Sequence, residues 1–382
     1  MKGRDAAPDL NYRSRSSCPV LNCPLEAPFL PTLAGAVLRG SIWNTTPPEP
    51  HELPAISIYL PAHASVEPLK LAFLAQSPNK ATFLPRIRVL GDVDPLDLFA
   101  AFGTRIASAN IAVNLLEKAL AIPAAFTKLE RELKLSALIS QAEEQLYSTR
   151  LAEGERVFAN FEAVSAYTIA RDIASIIDET LADEADMSRL FRLDGQHGSG
   201  SEQLSLQLLQ SVYRGWQAYQ KQAGKIDHEE RRNRLMAIES EFIAQSDAPV
   251  IIAGSAGTIA ATTLLMQAVR KKPNSAIVLH GLDEGLDAEI WAELGEHPEH
   301  HQHGLHQLFL KLGIEREEVS SLPPASAASA AGGVPLLQRN RQPDSDGRQR
   351  RARFLNVALY PPFAAKWPDF LRDFKQHGEK LA

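Results

Sequence analysis

Three short apolar runs constrain what this chain can fold into. Ala55-Ile-Ser-Ile-Tyr-Leu60, Pro249-Val-Ile-Ile-Ala253 and Ala276-Ile-Val-Leu279 are rich in β-branched residues and four to six residues long. The first ends at Pro61 and feeds a helix-compatible stretch through about Gln76; the second passes through Gly254-Ser-Ala-Gly257-Thr into a helix to about Lys271. Uninterrupted apolar strands alternating with helices belong to a parallel sheet covered on both faces, because each strand is then buried on both sides. Between the first and second runs, from roughly Pro95 to Gln245, the spacing changes to that of amphipathic helices. It shows in Leu204, Leu208, Val212, Trp216 and Tyr219, and again in Phe161, Val164, Ile169, Ile173 and Ile176. The expected fold is therefore an α/β domain carrying a large helical insertion. No internal repeat is present.

Composition narrows the function classes. The chain has 382 residues, 45% hydrophobic and 23% charged, as a globular protein with room for two domains does. Lys and Arg total 40 against 46 Asp and Glu, a net charge of -6, so any nucleic-acid contact must come from local basic patches. Cys18 and Cys23 have no second Cys or His pair nearby, which excludes a disulfide framework and a four-thiolate cluster and favours a reducing compartment. No apolar signal region and no run of roughly 18 apolar residues occurs, so the expectation is a cytoplasmic protein without a membrane partner.

Residues 1–26, with Arg13, Arg15 and three prolines, read as a disordered leader. Residues 27–94 and 247–320 form the expected α/β domain and residues 95–246 the helical insertion. A second short strand is expected at Ala81–Leu84, followed by a shaped loop from Leu84 to Asp94 in which Arg86 and Arg88 flank Ile87. Asp227 is placed to cap a helix whose first turn holds Glu229 and Glu230. Residues 321–350 read as a low-complexity basic linker, with Pro323–Gly333 rich in Ala, Ser and Gly and six arginines against two aspartates in Arg339–Arg353. Residues 351–382, with Trp367, Phe370, Leu371 and Phe374, read as the start of a following helical region that is cut short.

Candidate chemistry is sparse. The turn Gly254-Ser255-Ala-Gly257-Thr258 between a strand and a helix either permits a tight turn or offers backbone amides to a DNA phosphate. A nucleotide-hydrolysing loop would need Gly-Lys-Ser or Gly-Lys-Thr, and neither occurs. Arg86 and Arg88 are candidate phosphate contacts or a solvated charged surface, as are the arginines of Arg339–Arg353. His297, His300, His301, His303 and His306 crowd one segment, where His297 and His301 at i, i+4 make the weak alternative of a metal site. Asp283, Glu284 and Asp287 suit the first turn of a helix better than a catalytic cluster. No G-x-S-x-G and no H-E-x-x-H is present, so no catalytic residue is nominated.

Six segments in order resemble the AddB subunit family of the AddAB helicase-nucleases, in its alphaproteobacterial form. They are Ala27-Pro-Phe-Leu-Pro-Thr-Leu33, Ile58-Tyr-Leu-Pro61, Leu84-Pro-Arg-Ile-Arg-Val-Leu-Gly-Asp-Val-Asp94, Ala253-Gly-Ser-Ala-Gly-Thr-Ile-Ala-Ala-Thr262, Val278-Leu-His-Gly-Leu-Asp283 and Arg351-Ala-Arg-Phe-Leu-Asn-Val-Ala-Leu359. The resemblance runs over about residues 27–360 and covers only the N-terminal, helicase-like part of that subunit. It implies a P-loop-NTPase-like, superfamily-one-helicase-like parallel sheet whose ATPase site has decayed. It further implies a role in processing double-strand breaks for homologous recombination, with single-stranded DNA and the AddA helicase-nuclease subunit as partners. In that family ATP and magnesium belong to the AddA subunit, and an iron–sulfur cluster belongs to a C-terminal nuclease domain whose motif and cysteines this chain lacks. The chain itself is expected to need no cofactor and to be inactive as an enzyme alone. Arg86, Arg88, Gly254, Ser255, Gly257 and Thr258 are the candidate DNA contacts. Two other readings stand beside it: a truncated or degraded gene product without independent function, and a metal-binding enzyme built on the His-rich loop.

Overall fold

The fold is known from a computed structural model that describes residues 18–25, 27–77, 83–153, 163–191 and 200–323. The expected sheet is present, and every pairing in it is parallel. Its strands are β1 (Val20–Cys23), β2 (Ser57–Leu60), β3 (Arg86–Val89), β4 (Val250–Ala253), β5 (Ala276–His280) and β6 (Val319–Ser321), in spatial order β3-β2-β4-β5-β1-β6.

Alternation along each strand sorts the side chains between two layers. Val20, Tyr59, Val250, Ile252, Ile277 and Leu279 pack with the buried faces of α3 (Pro95–Phe102), α4 (Ala109–Leu120), α9 (His228–Gln245), α10 (Ala260–Arg270) and α12 (His303–Leu312). Leu21, Cys23, Ile58, Leu60, Ile251, Ala253 and Val278 pack on the opposite face with Leu33 and Val37 of α1 (Phe29–Leu38) and Leu69 and Phe73 of α2 (Val66–Ala75). Parallel strands need such double cover, which explains why β4 and β5 are apolar without alternation.

The helical region 95–246 is physically two things. Helices α3, α4 and α9 cover the sheet, while α5 (Lys128–Glu153), α6 (Ala163–Ala182) and α8 (Gly200–Ala223) enclose a core of their own around Leu135, Ile139, Ile173, Ile177, Val212 and Trp216. The short α7 (Met187–Phe191) adds Met187 to that core. A buried polar knot joins it to α9. Asp227 accepts from Trp216 Nε1 at 3.1 Å and Gln220 Nε2 at 2.7 Å, and lies 3.0 Å from Arg131 Nε. Arg131 in turn donates to Asp178 at 2.6 Å and to the Ala174 carbonyl. Asp227 stands at the N-cap position of α9 yet makes no side-chain cap bond, contrary to the sequence expectation, because the buried indole and guanidinium claim its carboxylate.

Three further expectations are corrected. Val20–Cys23, placed in the leader 1–26, is a strand between β5 and β6; its one polar residue, Asn22, is 0% exposed and donates to the Leu282 carbonyl at 3.0 Å and to Glu284 at 2.7 Å. The second strand is Arg86–Val89 rather than Ala81–Leu84, so Arg86 and Arg88 sit on an edge strand and not in a loop; residues 81 and 82 lie outside the described residues. Ser321, placed in the linker 321–350, ends β6, and the buried Leu322 behind it donates its amide to Asn22 O at 2.7 Å. The remainder of that linker, its arginines and region 351–382 lie outside the described residues. Among the described residues no helix is long and apolar enough to cross a membrane.

Candidate functional site at the carboxyl edge of the sheet

The chain leaves β1 and β2 toward one face, through α1 and α2, and leaves β4 and β5 toward the other, through α10 and α12. Where adjacent strands send their connections to opposite faces, a crevice opens at their carboxyl ends, the usual ligand position in open α/β sheets. Here those boundaries fall between β3, which leaves through α3, and β2, between β2 and β4, and between β5 and β1. At the last of these, Cys23 lies opposite His280, and Gly254 and Gly281 follow the ends of β4 and β5.

Apolar side chains from the β1–α1 connection lie over these strand ends. A Cβ on Gly254 would stand 3.0 Å from the Phe29 ring, and one on Gly281 would stand 2.8 Å from Leu25. Phe29 stacks on His280 with centroids 4.6 Å apart and 30° between planes. Burial holds the His280 imidazole below its ordinary pKa, so the ring is neutral at neutral pH. The connection Pro24-Leu-Glu-Ala-Pro28 contains no lysine that would reach a phosphate.

Two amides of the loop from Gly254 to Thr258 are bonded, one of them to the neighbouring strand. The Gly254 amide donates to Val278 O at 2.8 Å, and the Gly257 amide donates to Ser255 Oγ at 3.2 Å. Gly257 has φ +59, and a Cβ there would meet Leu308 Cδ1 at 2.4 Å, so this glycine serves the approach of α12. The helix begins only at Ala260, with Thr258 exposed ahead of it. The close approach of Phe29 to Gly254 and of Leu308 to Gly257 accords with the tight-turn reading of these glycines.

Arg86 and Arg88 are not brought to this edge. Arg86 pairs with Ser57 at the amino end of β2, is exposed, and donates to the Ala100 carbonyl at 2.9 Å. Partial burial, then the neighbouring charges of Arg88 and Arg105, lower its guanidinium pKa. Arg88 turns inward, 3.6 Å from Glu239 and 5.9 Å from the centre of the Phe102 ring. Glu239 of α9 is 1% exposed; its Oε1 accepts from the Tyr59 hydroxyl at 2.7 Å, and its buried Oε2 has no hydrogen-bond partner. Desolvation outweighs the Tyr59 bond and the Arg88 charge and pushes the Glu239 carboxyl up to about 7, with Asp92 adding to the rise. This Tyr59–Glu239–Arg88 contact was not anticipated from sequence. An acid between Leu235 and Phe242 on an apolar helical stripe is the signal that marks it.

The histidine segment closes on itself. His297 Nδ1 lies 3.0 Å from Glu299, His301 stacks on His300 at 4.5 Å, and His303 Nδ1 lies 2.7 Å from the Leu294 carbonyl. No group of three or more potential metal ligands is assembled among the described residues. The acids after β5 do local work: Asp283 accepts from the Gly285 amide, Glu284 accepts from Asn22 and Ser321, and Asp287 precedes α11 (Ala288–Glu293) without a side-chain cap bond. A second concavity of about 680 Å³ lies between α5, α6 and the start of α9; Arg131, at its wall, is already paired with Asp178 and Asp227.

No protein-family model matches the chain, and no curated protein matches it either.

Proposed function

We propose that this chain is a noncatalytic, helicase-like module of the AddB type, cytoplasmic, which binds single-stranded DNA and a helicase-nuclease subunit of the AddA type during the processing of broken DNA ends for recombination. The observation that supports this reading is the carboxyl edge of an all-parallel sheet, the place where open α/β sheets commonly bind nucleotides, lined here by apolar side chains. The β1–α1 connection brings Leu25 and Phe29 over the strand ends where a phosphate loop would place amides and a lysine. Such an edge retains a scaffold for a nucleic acid or a partner and offers no means of polarising a terminal phosphate. The six segments that resemble the family support the same assignment.

Binding of single-stranded DNA, measured against salt with the AddA-type subunit present, tests this. The expected result is affinity at low ionic strength that falls linearly on a log–log plot as salt rises. Affinity undetectable at low ionic strength overturns it.

A further inference from the structure

We propose that the Phe29–His280 pair is a stacking site for one base of a single strand crossing the carboxyl edge of the sheet; the inference rests on the DNA-binding reading above. His280 is the last residue of a central strand whose other four residues are buried, yet it is itself exposed. One face of its ring lies on Phe29, and the residue as a whole is exposed at the end of that stack. The pair is held in place before any ligand arrives. Phe29 sits against the bare backbone of Gly254, 3.0 Å from where a Cβ would be, and the strand beneath His280 is fixed by its register with β1. A neutral imidazole brings no charge to desolvate when a base covers it.

The size of the feature selects its occupant. A stable protein interface needs about 800 Å² on each partner, far more than one imidazole ring offers, whereas a single base needs only one ring to stack on. Base–aromatic stacking tolerates any sequence because every base has a π-face. The contact therefore supplies affinity for the strand without reading its sequence, and it does so where the arginines of β3 do not reach.

The test compares the full chain with His280→Ala and His280→Phe, each titrated with an oligothymidylate of about 12 nucleotides and with a base-free abasic strand of equal length. The wild-type chain is expected to prefer the strand that carries bases. His280→Ala should lose about 5-fold or more of that preference with abasic binding unchanged, and His280→Phe should keep it. His280 is exposed, so neither substitution disturbs the core; Phe29→Leu, which keeps an apolar side chain over Gly254, provides a second variant with the same expected loss. If the wild-type chain binds strands but the preference for bases is equal in wild type and His280→Ala, this inference is overturned and the DNA-binding reading survives. If the substitutions instead weaken capture of the AddA-type subunit, the site belongs to a protein partner and the inference is likewise overturned. If no strand binds at low salt, the functional reading itself falls and takes the inference with it.

Discussion

Replacing Glu239 by Gln should remove a pH dependence from the stability of this fold. In an unfolded chain a glutamate titrates near its ordinary 4.5, while in the fold it titrates at about 7 because its carboxyl is 1% exposed and one oxygen has no donor. The folded state thus holds a proton that the unfolded state releases between those values, and stability must fall as pH rises from about 4.5 to 7, then level off. At 1.36 kcal/mol per pKa unit, the full change is about 3 kcal/mol, with no discount for solvent at so buried a position. Glutamine keeps an oxygen for the Tyr59 hydroxyl and carries no charge at any pH. Urea unfolding of both proteins at about pH 5 and pH 8 isolates the effect, since all other titrating groups cancel in the double difference. Glu239→Gln is expected to match the wild type at the lower pH and to exceed it by up to about 3 kcal/mol at the higher. Equal pH dependence in the two proteins would refute the claim that desolvation, rather than the attraction of Arg88, governs this carboxyl.

Other positions give sharp expectations. Asp227→Ala leaves the buried Arg131 with Asp178 as its remaining carboxylate and leaves Trp216 and Gln220 without their acceptor, so a loss of about 2–4 kcal/mol is expected in thermal or urea unfolding. A loss below about 1 kcal/mol would show that the knot is not what joins the α5–α8 core to α9. Gly257→Ala places a methyl against Leu308 at a positive φ and should cost about 1–3 kcal/mol, part of it recovered when Leu308→Ala is added; strict additivity of the two would sink the packing argument. Lys272→Met removes an ammonium that donates to the Ile243, Ser246 and Ala248 carbonyls, and faster amide exchange is expected in the last turn of α9. Unchanged exchange there would remove the lysine from that role.

What could be read in the sequence follows from where each strand gets its polar satisfaction. β2, β4 and the first four residues of β5 are buried on both faces and therefore mostly apolar, which makes them legible from composition alone. β1 hides because Asn22 interrupts it, and that side chain is satisfied by Leu282 and Glu284, some 260 positions along the chain. β3 hides because two arginines dominate a four-residue strand; the acid that accommodates Arg88 lies on a helix 151 residues later. The Gly254 turn was visible as a strand-to-helix connection, but local sequence carries no record that the Gly254 amide bonds to Val278 and that of Gly257 to Ser255. The stack of Phe29 on His280 depends on β1 lying beside β5, a pairing that no local pattern announces.

That same pairing sets the order in which the molecule can be assembled as it is made. Among the described residues β1 bonds to β5 and β6 alone, so the strand emerges from the ribosome about 250 residues before the first of these neighbours. At about 5–20 residues per second this is a wait of about 10 to 50 s, during which both edges of β1 have no strand to join. β2 and β3, by contrast, can pair at once, and α5 to α8 can close their own core. Synthesis arrested anywhere before β5 therefore releases a chain with a finished helical unit and an unmated N-terminal strand, a natural client for chaperones and a seed for edge-to-edge association.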